Sequence, residues 1–289
     1  MFLEISVLIF LDKKGKINKN LNERKKDMTI TSKDNETIKH IKKLKEKKYR
    51  DEYNEFIVEG IKMIEEALAE KANIKSIIIC EDCKNQGNLP NDLMYEIAKC
   101  NCIYVTEKIF KTITDLSNPQ GIMAVIEKNN KEEDIDYKAS NFLILDNIQD
   151  PGNMGTILRT ADSLNLKQII VSKGSADIYN LKVVRSTMGA IFRVRVIEVE
   201  SLVKIIKEMK KHKINVYATD LSTNKSIYDV NYENSAIVIG NEANGVSKEV
   251  LGEVLERIKI PMIGKTESLN AAVATSIILY QAYRSLGKI

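Results

Sequence analysis

The 289 residues are 44% hydrophobic and 29% charged, with 13 Gly, 4 Pro, 4 Cys and no Trp, an ordinary globular composition that excludes collagen-like, mucin-like and disulfide-stapled chains. The most apolar terminus, Met1 to Leu11, is broken by Glu4 and is far short of the ~20 residues a bilayer needs; it also lacks the basic start and cleavage site of a signal peptide, so no membrane partner and a reducing cytoplasmic setting are expected. The net charge of +4 is local in origin: residues 13–50 hold 15 Lys/Arg against 5 Asp/Glu, whereas the others hold 29 against 35.

In chain order, residues 1–27 read as a weakly ordered extension, with Met28 as the functional start. Ser32 is placed to cap a helix whose apolar period runs through Ile38, Ile41 and Leu44. The basic text around it is either a solvated face or a phosphate-contacting footprint, since clustered cations gain affinity for nucleic acid by releasing counterions. A strand follows at Phe56 to Val58, then a helix through Ile61, Ile64 and Leu68. Next come a β-branched strand from Ile74 to Ile79, a helix at Leu93 to Ala98, and strands at Ile103 to Val105 and Gly121 to Ile126. That alternation predicts a small α/β domain over 28–128. The charged, aperiodic stretch 129–140 is read as a linker.

Over 141–289 the alternation is stricter. Strands are predicted at Phe142 to Leu145, Gln168 to Val171, Val194 to Val199, Asn215 to Ala218, Ala236 to Ile239 and Ile258 to Ile260. Helices are predicted at Met154 to Leu164, Lys182 to Phe192, Leu202 to Lys211 and Ala271 to Leu286. Near-continuous apolar strands separated by helices mean a parallel sheet covered on both faces, and ligands of such sheets sit outside the carboxyl ends of the strands. Three polar loops lie there. The first, Asp146 to Gly155, has Asn153 as a candidate helix cap and leads to Arg159, a cation opposite the apolar stripe of its helix. The second, Gly240 to Ser247, contains Glu242, for which a tight turn has no use. Gly240 there permits a ligand or another backbone to approach the strand end. The third, Ile260 to Asn270, holds Ser268 and Asn270, and a cap explains only one of them.

Taken together these motifs resemble the SpoU (TrmH-like) family of RNA ribose 2'-O-methyltransferases, in the SPOUT superfamily. The resemblance rests on Asp150-Pro151-Gly152-Asn153 with Arg159, Ile239-Gly240-Asn241-Glu242 with Gly245, and Ile260-Pro261-Met262 with Ser268-Leu269-Asn270. Val184-Arg185-Ser186 with Gly189-Ala190 adds to it. Asn241 departs from the Ser or Pro common at that position. In the first half, Lys48-Tyr49-Arg50, Glu59-Gly60 and Asn118-Pro119-Gln120-Gly121 are similar to the family's N-terminal RNA-binding domain, whose fold is like ribosomal protein L30e. The resemblance implies an α/β fold with a deep trefoil knot, S-adenosylmethionine as cofactor, a homodimer, and an RNA substrate. Ribosomal RNA, 23S in particular, fits the two-domain layout; transfer RNA, and RNA binding without catalysis, are the alternatives.

By position, Gly240, Ile260 and Leu269 would meet the cofactor. Asn153, Ser268 and Asn270 would fix the ribose and the loops. Arg159 would hold the substrate phosphate and lower the hydroxyl pKa, because a neutral guanidine is too costly for a base. Glu242 or the substrate phosphate would take the proton. Lys42, Lys43, Lys45, Lys48, Arg50 and Arg185 are the candidate RNA contacts. No glycine-rich loop suits a nicotinamide or ATP enzyme. Cys80, Cys83, Cys100 and Cys102 have zinc-like spacing, but in a βαβ unit the two pairs fall at opposite edges of the sheet, so no metal is expected. His40 and His212 read as surface residues without partners.

Overall fold

The computed structural model describes residues 29–81, 90–128, 134–138 and 141–289. The extension over 1–27, Met28 and Cys83 lie outside them. The chain divides into two compact units between residues 130 and 131.

The first unit opens with α1 (Glu36–Lys43), which buries Ile38 and Ile41. Its cap is Asn35, whose side chain accepts from the amide of Thr37 at 2.9 Å; Ser32 instead closes a turn by accepting from Asp34. The basic region is two helices, since α2 (Lys47–Tyr53) starts anew after Leu44. Arg50 marks the break. It is 3% exposed and its Nη1 donates to the carbonyls of Leu44 at 2.9 Å and Lys45 at 2.7 Å. These acceptors belong to the end of α1, where helical carbonyls lack partners. Arg50 is thus a buried brace, and the expectation that it contacts RNA is corrected.

There follow β1 (Glu55–Glu59), α3 (Ile61–Ala69), β2 (Ile74–Cys80), α4 (Asn91–Ile97), β3 (Cys102–Val105), α5 (Glu107–Ile113) and β4 (Ile122–Glu127). The sheet order is β1-β4-β2-β3, with β4 antiparallel to both neighbours and β2 parallel to β3. The seven-residue α5, capped by Thr106, is too short to announce itself by periodicity. Gln120 accepts from the Ile61 amide at 2.8 Å and so caps α3, which gives the Asn-Pro-Gln-Gly stretch a structural use. Cys102 pairs with Ile77 while Cys80 pairs with Val105, a separation of three residues along neighbouring strands, or about 10 Å. Among the described residues no cluster of three metal-ligating side chains occurs. His40 has a partner after all, with Nε2 2.6 Å from Glu55.

The second unit runs β5 (Asn141–Asp146), α6 (Pro151–Ser163), β6 (Gln168–Ser172), α7 (Leu181–Thr187), β7 (Arg195–Val199), α8 (Leu202–Lys211), β8 (Asn215–Thr219), β9 (Ser235–Gly240), α9 (Lys248–Leu251), β10 (Glu256–Ile258) and α10 (Ala271–Ser285). All six strands are parallel, in the order β10-β8-β9-β5-β6-β7. Alternate residues serve opposite faces. Leu143, Leu145, Ile237 and Ile239 join the core made with Ile157 and Leu158 of α6 and Ile278 and Leu279 of α10. Phe142, Ile144, Ala236 and Val238 join the core made with Leu202, Ile206 and Met209 of α8. Each of the larger of these side chains contributes about 1.5–3 kcal/mol by burial, which is why the central strands β5 and β9 read as apolar on both faces.

Two expected boundaries differ. The helix expected to reach Phe192 stops at Thr187, because Met188 and Gly189 adopt left-handed conformations (φ 50° and 97°) before a short 3-10 turn over Ala190–Phe192. The last strand, expected over Ile258 to Ile260, lies instead over Glu256–Ile258 and shares only Ile258 with it, since Lys259 turns its amide to Lys225 and its carbonyl to Ile227. Residues 134–138, within the expected linker, dock on the second unit: Gln168 bonds both the amide and the carbonyl of Asp136, and Tyr137 stacks on His212 at 4.6 Å. His212 is therefore also partnered. No helix among the described residues is long and apolar enough to cross a membrane.

Candidate active site

The chain leaves β5 toward β6 on one side and leaves β9 toward β10 on the other. This divergence opens a crevice between the carboxyl ends of the two central strands, where Asp146 pairs with Gly240. The loops after β5 and β9 meet there.

Gly240 is the point of closest approach. A Cβ on it would stand 2.1 Å from Gly245 C and from Val246 N, so no other residue fits. Of the two uses expected for Gly240, the close approach of another backbone is seen, that of Gly245 and Val246. The loop folds back through reciprocal backbone bonds between Asn241 and Gly245 (3.0 and 2.9 Å), with Gly245 at φ +68°. Asn241 is buried: its Oδ1 accepts from the amides of Ala243 and Asn244, and its Nδ2 donates to the Asn147 carbonyl at 2.8 Å. Asp146, also buried, accepts from the Ser247 amide at 2.8 Å.

Glu242 joins this loop to the start of α6. Oε1 accepts from the Asp150 amide (3.1 Å) and from Asn153 Nδ2 (2.9 Å), and Oε2 accepts from the Gln149 amide (3.2 Å). Burial works to raise its pKa, but the hydrogen bonds from Asn153 and the loop amides outweigh that and hold the carboxyl below the ordinary glutamate value. The cap of α6 is Asp150, which accepts from the Asn153 amide, and not Asn153 itself. The side chain of Asn153 is thereby released to donate to Glu242 and to accept from Asn270 Nδ2 at 2.8 Å. Asn270 caps α10 through its Oδ1, which accepts from Ala272 and Val273. One chain of bonds, Glu242–Asn153–Asn270, therefore ties all three loops.

Other expected residues stand apart from that chain. Arg159 is exposed on α6, and no hydrogen bond or ion pair engages its guanidinium among the described residues. Arg185, on α7, has Nη1 buried without a partner. Ser268 is exposed in the third loop and makes no hydrogen bond among the described residues. From Ile260 to Leu269 the same holds for the backbone, while Ile263 is fully exposed and Leu269 is 37% exposed. Uncommitted amides and carbonyls beside bare apolar side chains suit a ligand with a flat apolar ring and a polar tail. That is a fit for the expected cofactor at Ile260 and Leu269. Asp146 and Asn241 were missed, although an acid closing an otherwise apolar strand was a visible signal.

Residues 140–280 match the model of the SpoU rRNA methylase family, and residues 35–124 match that of the MRM3-like substrate binding domain. The 23S rRNA (guanosine(2553)-2'-O)-methyltransferase RlmP of Bacillus subtilis is 34% identical over 252 residues, which cover 87% of this chain and 97% of that one. The chain belongs to the SpoU family. Among solved structures, the AdoMet-bound rRNA methyltransferase from Sinorhizobium meliloti superposes with a TM-score of 0.76 at 29% identity, covering 89% of this chain and 98% of that one. A crystal structure of an RNA 2'-O ribose methyltransferase gives a TM-score of 0.78 at 28% identity, over 90% and 99%. This SpoU protein is an S-adenosylmethionine-dependent RNA 2'-O-methyltransferase.

Proposed function

We propose that the chain methylates a ribose 2'-hydroxyl of 23S ribosomal RNA, in the cytoplasm, as a homodimer with the family's trefoil knot in its second unit. Residues 28–128 are the RNA-binding domain of this reading and 141–289 the methyltransferase domain. The observation that carries it is the Glu242–Asn153–Asn270 chain, which brings the three SpoU motifs to one crevice.

When bound, S-adenosylmethionine supplies a methyl group made electrophilic by its sulfonium. The backbone around Ile260 and Leu269 and the turn over Gly240 would hold it. For a ribose 2'-hydroxyl to act as the nucleophile toward that methyl group, its proton would have to leave. Arg159, without a partner among the described residues, would hold the substrate phosphate and stabilise negative charge growing on the oxygen. Glu242 is the poorer of the two proton acceptors: its oxygens already accept from Gln149, Asp150 and Asn153, and its depressed pKa makes it a weak base. We assign it to loop positioning, and the proton to the substrate phosphate or solvent. Arg185 is taken as an RNA contact beside the helix that carries Arg159, and Ser268 as a ribose contact.

The homodimer is supported by an apolar face on α10. Val273 and Tyr280, 48% and 46% exposed, lie two turns apart with Ile277 between them, and Tyr228, Ile277, Tyr280 and Arg284 line an open groove of about 550 Å³. The test of the whole reading is a map of 2'-O-methyls in RNA from a deletion strain, complemented with wild type or Arg159→Ala. Loss of one 23S methyl, restored only by wild type, is expected. A missing methyl in transfer RNA, or none missing, would overturn it.

A further inference from the structure

The cations of the first unit divide by partner. Lys39 pairs with Glu36 at 2.8 Å and Lys45 with Asp115 at 2.6 Å, and Arg50 is buried. Lys42, Lys43, Lys47 and Lys48 pair with no carboxylate among the described residues, and two of these four lie over tyrosine rings. Lys43 Nζ stands 5.4 Å from the centroid of Tyr49 and 6.0 Å from that of Tyr53, and Lys48 Nζ stands 5.3 Å from Tyr49. Lys43 also donates to the Tyr53 hydroxyl at 3.4 Å. The two rings, one helical turn apart on α2, are 6.1 Å from each other and within 13° of parallel. Tyr53 leans against the His40 ring of α1 at 4.7 Å.

Packing accounts for Tyr53, which joins α2 to α1. Tyr49 is half-buried like Tyr53, and its ring lies against Tyr53 and against two lysines that form no ion pair with a carboxylate among the described residues. A ring already in contact with cations loses little rotamer freedom when a ligand arrives, and ammonium groups beside it are available to phosphates. Aromatic faces combined with uncommitted cations are the chemistry of single-stranded nucleic acid recognition, in which bases stack on side chains while the backbone follows positive charge. Paired bases cannot use such a surface, because their faces are covered within the helix. The nearly parallel planes of the two rings suit bases that are themselves parallel.

We propose that Tyr49 and Tyr53, framed by Lys43 and Lys48, form a stacking surface for unpaired bases of the RNA substrate. The inference deepens the reading of residues 28–128 as the RNA-binding domain and rests on it. The target region of the RNA is then a loop or bulge, and the first unit reads base faces in addition to phosphate charge.

The test uses the full chain and a single-stranded RNA oligonucleotide carrying 2-aminopurine, beside a duplex of the same sequence. Stacking should quench the 2-aminopurine fluorescence of the single strand on binding by wild type and by Tyr49→Phe. Tyr49→Leu should lower single-strand affinity about tenfold and abolish the quenching, with duplex affinity unchanged. Undiminished single-strand affinity in Tyr49→Leu, or equal losses for single strand and duplex, would reduce this surface to lysine electrostatics. Unaltered fluorescence at saturation with wild type would overturn the proposal with no variant at all. Methylation of 23S RNA by wild type is scored separately: methylation without quenching sinks only this inference, and quenching without methylation sinks only the earlier reading.

Discussion

Asn270 uses both ends of one side-chain amide: Nδ2 donates to Asn153 Oδ1 at 2.8 Å, while Oδ1 accepts from the amides of Ala272 and Val273. The same residue starts α10 and fixes it to the first turn of α6, so the third loop is anchored at the point where the first loop ends.

Replacing Asn270 should separate these two roles. Asn270→Asp keeps the cap acceptor but cannot donate to Asn153, and it should retain most thermal stability while losing methylation. Asn270→Ala loses both, with a stability cost of about 1 kcal/mol for the cap alone. Melting curves and methyl-transfer rates on the two variants check this; wild-type activity in Asn270→Asp would remove the Asn153 bond from the site.

For Glu242 the pH dependence has a definite sign. Its folded pKa is depressed, so the stability it contributes is present above the ordinary glutamate value and is lost as pH falls through the lower, folded one. Glu242→Gln presents an NH2 group toward amide donors and should cost about 1–3 kcal/mol at neutral pH. The melting-temperature gap from wild type should hold through neutrality and narrow only in acid, below about pH 4. Between pH 5 and 9 the wild-type rate profile should show no limb that disappears in Glu242→Gln. Such a limb would restore Glu242 as the proton acceptor.

Arg159 is exposed and unengaged, so its replacement should leave the fold intact. Arg159→Ala should lower methyl transfer by about a hundredfold or more with cofactor affinity and melting temperature unchanged. Calorimetric titration with S-adenosylmethionine is the check, and a collapse of cofactor binding would move Arg159 to the other side of the site.

The glycines of the second loop should respond unequally. At Gly240 an added Cβ meets backbone at 2.1 Å, whereas at Gly245 the space is open and only the φ of +68° resists. Gly245→Ala should cost about 1–2 kcal/mol and keep cofactor binding. Gly240→Ala should abolish binding, because the turn must move.

The basic region separates in the same manner. Arg50→Gln leaves the carbonyls of Leu44 and Lys45 unpaired and should lower the melting temperature, whereas Lys42→Gln and Lys48→Gln should leave it unchanged. Only the lysine changes should flatten the dependence of log affinity for RNA on log salt.

Much of this was legible from side-chain patterning alone. The helix Leu202–Lys211 is where its periodicity put it, and the four apolar runs at the middle of the second sheet are strands β5, β6, β8 and β9, because residues buried on both faces of a sheet leave little choice of type; the last edge strand, Glu256–Ile258, shares only Ile258 with the run expected there. What patterning could not supply was which of several eligible groups takes a given partner. Ser32 and Asn35 both suit a cap, as do Asp150 and Asn153, and only the backbone geometry decides that Asn35 and Asp150 serve. Arg50 looked like one more cation in a basic run until two helix-end carbonyls claimed it. The residues that carry the resemblance, Asn153, Glu242 and Asn270, could be named, but their bonding to one another spans some ninety to a hundred and twenty positions, a distance that no local pattern reports.

The place of β9 in the sheet sets the order in which the molecule becomes competent. It inserts between β5 and β8, pairing along the whole of β5 from Asn141 to Asp146, yet it is made about ninety residues later. A chain emerging from the ribosome has β5, β6 and β7 well before it has the strand that covers the open side of β5, and an open apolar edge invites pairing with other chains. Closing so long an excursion is slow by comparison with forming local helices. The crevice beside Asp146 and Gly240 is therefore closed only when β9 has been made, and until then the open edge of β5 is free to pair with other chains.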